Sequence, residues 1–250
     1  MRPMTNTQPV VVAESGCPDL LTPPAQEVFI QPVLLERNSG LCRVVLTPAR
    51  EMVSRTGALN QEHSAAAWMH RCAKAANVHP YYTALHCQRE QGLVKDSRAY
   101  DPSYKVTVIF GGRSAATEGM RVIPTIPLQG EERWVLASGE WKMMAACGVG
   151  IMDPGAPAWV ATEKYLGFDR QIWGCATSGA SVLRRWNKGE RMLTDRRVKA
   201  GTTIGGTTYQ EDVLVTAECR DIMAFAALVH TPHWHSLESV RSIASAAGVA

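Results

Sequence analysis

Two helical segments parted by one proline constrain this chain more than any other feature. Over residues 60–77 the side chains Ala65, Trp68, Met69, Cys72, Ala73 and Ala76 recur at helical spacing, so one stripe of that helix needs cover from other elements. His79-Pro80 interrupts the pattern. Proline suits the first turn of a helix and glycine suits the residue just past the last, so a second, shorter helix is expected from Pro80 to Gly92. Tyr81, Tyr82 and Leu85 would pack inward from it. Glu90 then falls in its last turn. A helix C-terminus carries partial negative charge, which disfavours an ionised carboxylate there. An apolar setting pushes the same way. A glutamate kept protonated near neutral pH can give its proton to a leaving group. The ordinary alternative is a solvated glutamate in a last turn.

The rest of the chain changes character several times. Residues 1–40 hold prolines at 3, 9, 18, 23, 24 and 32 and read as an extended arm, not an independent domain. Residues 41–46 suggest a short strand, and Thr47-Pro48 opens a helix to about Leu59, with Thr47 as N-cap. In residues 96–140, the runs 105–110, 120–126 and 133–137 read as strands, with turns at Gly111-Gly112 and Gly130. They predict a small antiparallel sheet placed directly after the glutamate. Residues 148–155 form a glycine-rich turn, and a helix is expected from about Gly167 to Trp186. Residues 199–204 and 207–215 look like a hairpin across Gly205-Gly206. Residues 217–229 read as a last strong helix, and 236–250 as a polar, alanine-rich tail.

Composition excludes some classes. A 46% hydrophobic content can build a sizeable core, and no run of about 18 apolar residues points to a membrane span. Residues 1–8 are polar and lack a charged-then-apolar secretion signal. A net charge of +3 argues against a dedicated nucleic-acid binder. The most basic stretch, Arg184-Arg185 to Arg196-Arg197, reads as a solvated helix face and loop. Seven cysteines, at 17, 42, 72, 87, 147, 175 and 219, include no CxxC pair. Buried, reduced thiols are the default expectation, with one or two disulfides left open. His230, His233 and His235 match no standard metal spacing, and adjacent His86 and Cys87 point about 100° apart on a helix, so they do not form a base–nucleophile pair. No cofactor is expected.

Three segments together give Glu90 its interest: Gln88-Arg89-Glu90-Gln91-Gly92-Leu93-Val94, Ala146-Cys147-Gly148-Val149-Gly150 running on to Asp153, and Lys164-Tyr165-Leu166-Gly167-Phe168-Asp169-Arg170-Gln171 running on to Ala176. This order resembles the lysozyme superfamily, near the goose-type lysozymes and soluble lytic transglycosylases of bacteria and phages. There a Q-x-E-Q-G-L-V run precedes a G-x-G turn and a Y-x-G-F-x-x-Q segment. Thr231-Pro232 resembles the Y-T-P ending of such domains. The likeness spans roughly residues 45–237 and departs from the family in the long stretch 96–140.

The resemblance implies an α+β fold, mainly α: a lysozyme-like helical domain over residues 41–237 with a small antiparallel β-sheet insertion (96–140) beside the cleft, a Pro-rich arm (1–40) and a polar tail (238–250). It implies cleavage of the β-1,4 bond between N-acetylmuramic acid and N-acetylglucosamine in bacterial peptidoglycan. Glu90 would be the general acid, and Asp153 the carboxylate that positions water where hydrolysis is the outcome. Asp153 also reads as an ordinary Asp-Pro turn residue. Gln91, Tyr165 and Gln171 would line the sugar cleft, with Trp173 in the core. A wall substrate and no secretion signal suit a phage product, either a virion-associated lysin that meets other tail proteins and acts at entry or an endolysin released from the host cytoplasm to the wall. The alternative is a structural virion protein that keeps the lysozyme-like shape without catalysis. A catalytic Glu90 should open into a cleft, whereas a structural one should be solvated or paired with Arg89 or Arg113.

Overall fold

The computed structural model of the chain describes residues 10–28, 41, 45–91, 93–94, 107–109, 146–149, 165, 167–204, 207–230 and 235–246. In chain order the elements are β1 (Val10–Ala13), β2 (Val45–Thr47), α1 (Arg50–Thr56), β3 (His63–Ser64), α2 (Ala65–Ala76), α3 (Pro80–Gln91), β4 (Thr107–Ile109), α4 (Phe168–Asn187), β5 (Met192–Val198), β6 (Thr203–Ile204), β7 (Thr207–Thr208), β8 (Val213–Cys219), α5 (Ile222–His230) and α6 (His235–Ala246). Helix accounts for about half of the described residues, and the strands form small sheets. The chain divides into two compact units, one of Thr22–Ala180 and one combining Met1–Leu21 with Ser181–Ala250. The break at 21 and 180 differs from the expected single domain over residues 41–237. It arises because the arm and the C-terminal quarter of the chain share a sheet.

In the unit Thr22–Ala180, α2 is the hub. Ser64 caps its N-terminus by accepting from the Ala67 N–H at 3.2 Å, and Asn77 ends it in the left-handed region at φ 57°. Ala65, Trp68, Met69, Cys72 and Ala73 are buried along one stripe, as the spacing predicts. Full burial of Trp68 and Met69 is worth roughly 1.5–3 kcal/mol each. The Trp68 indole Nε1 also donates to the Asp169 carbonyl at 3.2 Å, which ties α2 to the first turn of α4. The helix expected from Thr47 is shorter than predicted. Thr47 belongs to β2, and α1 starts after Ala49 and stops at Gly57, whose φ of 63° suits glycine.

The strand expected at 105–110 is present as β4 over Thr107–Ile109. β2 is the central strand of three, antiparallel to β3 and parallel to β4. A strand from the stretch after Glu90 therefore joins β2, a strand that lies before α1. The other runs expected in that stretch, 120–126 and 133–137, lie outside the described residues.

The second unit departs from expectation at several points. Residues 10–13 form an edge strand, β1, running parallel to β8 from Val10 opposite Thr216 to Ala13 opposite Cys219. β5 pairs antiparallel on the other side of β8, with an irregularity between Leu193 and Arg196. Arg196 and Arg197 thus stand in a strand and not in a helix or loop. The hairpin across Gly205-Gly206 is only the two-residue pair β6–β7. Residues 217–219 complete β8, so the last strong helix begins later, at Ile222. Asp221 caps it by accepting from the Ala224 N–H at 2.8 Å. The tail over 236–246 is helical, in α6, with Leu237, Val240 and Ala244 buried. Ser15 clamps the arm. Its backbone N–H and hydroxyl both donate to the Asp221 carboxylate, at 2.7 and 2.5 Å, and its carbonyl accepts from Arg241 Nε at 2.8 Å.

Candidate functional site

Local sequence sets up the corner around Glu90. His79 starts α3 with its imidazole Nδ1 accepting from the Tyr81 N–H at 3.1 Å, a side-chain cap at the position before Pro80. Tyr81, Tyr82, Ala84, Leu85 and Cys87 are buried. At the other end, the Gln88 side-chain oxygen accepts from the Val94 N–H at 2.9 Å, and the Leu93 N–H donates to the Cys87 carbonyl at 3.3 Å. The chain after Gln91 is thereby turned back, and Leu93 and Val94 are buried. Gln88 and Cys87 thus close the end of α3 against Leu93 and Val94, with Glu90 in the last turn.

Glu90 is 27% exposed at its side chain and accepts from Arg89 Nε at 3.0 Å. Its other carboxylate oxygen lies against Gly148. A Cβ built on Gly148 would meet Glu90 Oε2 at 2.8 Å, and Gly148 has φ +67°. Both the close approach and the backbone conformation call for glycine at that position. His86, one turn earlier on α3, brings a ring nitrogen within 4.8 Å of a Glu90 carboxylate oxygen. His86 therefore faces the glutamate, not the neighbouring Cys87 thiol.

The third segment holds the glycine turn in place. Gln171, in the first turns of α4, is fully buried. Its side-chain oxygen accepts from the Cys147 N–H at 3.1 Å and the Val149 N–H at 3.0 Å. Its amide nitrogen donates to the Val149 carbonyl at 2.8 Å and the Tyr165 carbonyl at 2.7 Å. The expected role of Gln171 in lining the sugar cleft is corrected, because its amide spends its capacity on the backbone of the turn. Tyr165 is half-buried. Its ring and Val149 Cγ1 both sit 3.0 Å from where a Cβ on Gly174 would stand, so α4 receives them on a side-chain-free step. Gln91 belongs to α3 by its backbone, and its side chain lies outside the description, as do Asp153, Arg113 and His233.

Comparison with known proteins finds no matching family model, no matching curated protein and no matching solved structure. The geometry of the corner therefore stands on its own.

Two features were not anticipated from sequence. Asp169 is fully buried at the start of α4. Burial pushes its carboxyl up to about 6, although the Ala49 N–H (2.9 Å) and Arg170 N–H (2.8 Å) both donate to it. The sequence gives no sign of this, since Phe168-Asp169 reads as a plain helix start. The second is a line of thiols. Cys87 and Cys147 place their Sγ atoms 3.5 Å apart, and the Cys175 thiol is within hydrogen-bonding reach of Cys147. Burial pushes the Cys147 thiol well above the ordinary range. Elsewhere in the same unit, a groove of about 470 Å³ is lined by Ala58, Leu59, His63, His70 and Arg71 among others, and none of the expected site residues lines it.

Proposed function

We propose that this chain is a peptidoglycan-cleaving glycosidase with a lysozyme-like helical core. Glu90 protonates the glycosidic oxygen between N-acetylmuramic acid and N-acetylglucosamine as that bond breaks. One observation carries the reading. The carboxylate of Glu90 rests on Gly148 of a turn that Gln171 fastens at both faces, so three segments far apart in sequence meet at one acidic group. Preorganisation of this kind is what proton transfer needs, because the acid must sit within hydrogen-bond reach of the oxygen it protonates. Asp153 is the proposed partner that positions water in a hydrolytic outcome. Gln91 and Tyr165 are the proposed sugar contacts. A phage lysin, carried in the virion or released as an endolysin, places such an enzyme at its substrate. Among the described residues no helix is long and apolar enough to cross a membrane.

A second reading has its own observation. The Arg89–Glu90 pair at 3.0 Å is what a structural glutamate would show, and an ion pair stabilises the charged form of a carboxylate. Under that reading the chain is a catalytically inactive virion protein of the same fold. Turbidity loss of outer-membrane-permeabilised Gram-negative cells, or of purified sacculi, separates the two. The glycosidase reading expects lysis by the wild type and a drop of at least ~100-fold in Glu90→Gln, which keeps size and hydrogen bonding but not the transferable proton. Equal activity in both proteins removes Glu90 from the chemistry. Folded protein inert on both major wall types favours the structural reading.

A further inference from the structure

We infer that Cys87 and Cys147 are a disulfide-forming pair that covalently ties the Glu90 helix to the glycine turn when the protein meets a thiol oxidant. The inference is independent of the reading of Glu90 as an acid. Both side chains are fully buried, both are thiols, and their Sγ atoms are 3.5 Å apart across 60 positions of sequence. Each is fixed by its surroundings. Cys87 lies in the fully buried middle of α3. Cys147 has its N–H bound by Gln171 and its thiol directed at the Thr83 carbonyl at 3.9 Å. Thiols of two separate elements, held in contact by partners that do not involve each other, need only a small movement to bond.

The chemistry is a two-step exchange. A thiolate from one cysteine attacks a disulfide of the oxidant, such as oxidised glutathione or the disulfide centre of an oxidase, and releases one oxidant thiol. The second cysteine then attacks the mixed disulfide and releases the other. The S–S bond between Cys87 and Cys147 forms, two protons leave the protein thiols, and two electrons reduce the oxidant disulfide to two thiols. Burial keeps the Cys147 thiol protonated, so the exchange is slow and follows transient opening of the corner. The placement gives the bond a consequence. Cys87 is three residues before Glu90, and Cys147 is next to Gly148, against which the Glu90 carboxylate packs. Oxidation therefore fixes the spacing of this corner.

Cys175 offers Cys147 a competing partner, which makes the assignment specific enough to fail. The test is to incubate the full reduced chain in native buffer with oxidised glutathione, block remaining thiols, and map cross-linked peptides by mass spectrometry. The expected result is loss of two hydrogen masses and a peptide pair joining Cys87 to Cys147. The oxidised wild type should also unfold at a temperature higher by several degrees than the reduced protein. Cys87→Ala should abolish that cross-link and Cys175→Ala should retain it, while the wild-type map needs no variant to fold. A Cys147–Cys175 cross-link, a stable glutathione adduct on either residue, or no cross-link in the folded protein overturns the assignment.

Discussion

At the scale of single residues, the environment of a side chain decides what its type can do. Glu90 and Asp169 are both carboxylates in helical end turns, yet one is partly open beside Arg89 and the other is sealed at the start of α4. Asp169 gives a pH prediction whose sign is fixed by its raised value. Unfolded, its carboxyl titrates near 3.8, and folded near 6. Between those values the native state holds a proton that the unfolded chain has released. Stability from this group is therefore full at pH below about 4 and is lost as pH climbs through about 6. Asp169→Asn should flatten that slope. Thermal unfolding at several pH values should show the wild type losing about 1–3 kcal/mol relative to the variant across this window. An identical slope in both proteins would mean that Asp169 is solvated or titrates as an ordinary carboxylate.

At the scale of elements, the long helices were more legible in the sequence than most strands. α2, α3 and α4 lie within a few residues of expectation, because each has either a clear apolar period or strong boundary residues such as Pro80 and Asn77. β5 was missed because Thr194, Asp195, Arg196 and Arg197 make it polar, and its partner β8 supplies the apolar side. Residues 217–219 read as the start of a helix because buried Ala217 and Cys219 run on into the apolar residues of α5. The convergence of Glu90, the glycine turn and the α4 segment was legible as an order of motifs. The role of Gln171 was not, since a pattern cannot say whether a glutamine faces a ligand or backbone. Gln171→Leu should leave three backbone groups of the turn and the Tyr165 carbonyl without their partner and cost about 3 kcal/mol or more, read as a fall in the chemical-denaturation midpoint. Glu90→Gln should leave that midpoint close to wild type. Equal stability in Gln171→Leu would show that the turn stands without its clamp.

At the scale of the whole molecule, one unit is assembled from both ends of the described chain. β1 contributes buried Val11 and Ala13 to it, and Leu20 and Leu21 are buried just beyond. Removing residues 1–21 strips β8 of one neighbour and should destabilise that unit by at least about 3 kcal/mol. The bared β8 edge should also lower the onset of light scattering on heating, and unchanged unfolding and scattering would show that the arm is ornamental. The same strand has a consequence in time. Ser15 binds Asp221 across 206 positions, and Val10 lies opposite Thr216. A ribosome makes β1 well before β8, because the whole of Thr22–Ala180 is synthesised between them. Through that interval the valines of β1 lack their β8 neighbour, so this unit closes only once β8 is made, while Thr22–Ala180, whose parts are contiguous, can fold ahead of it.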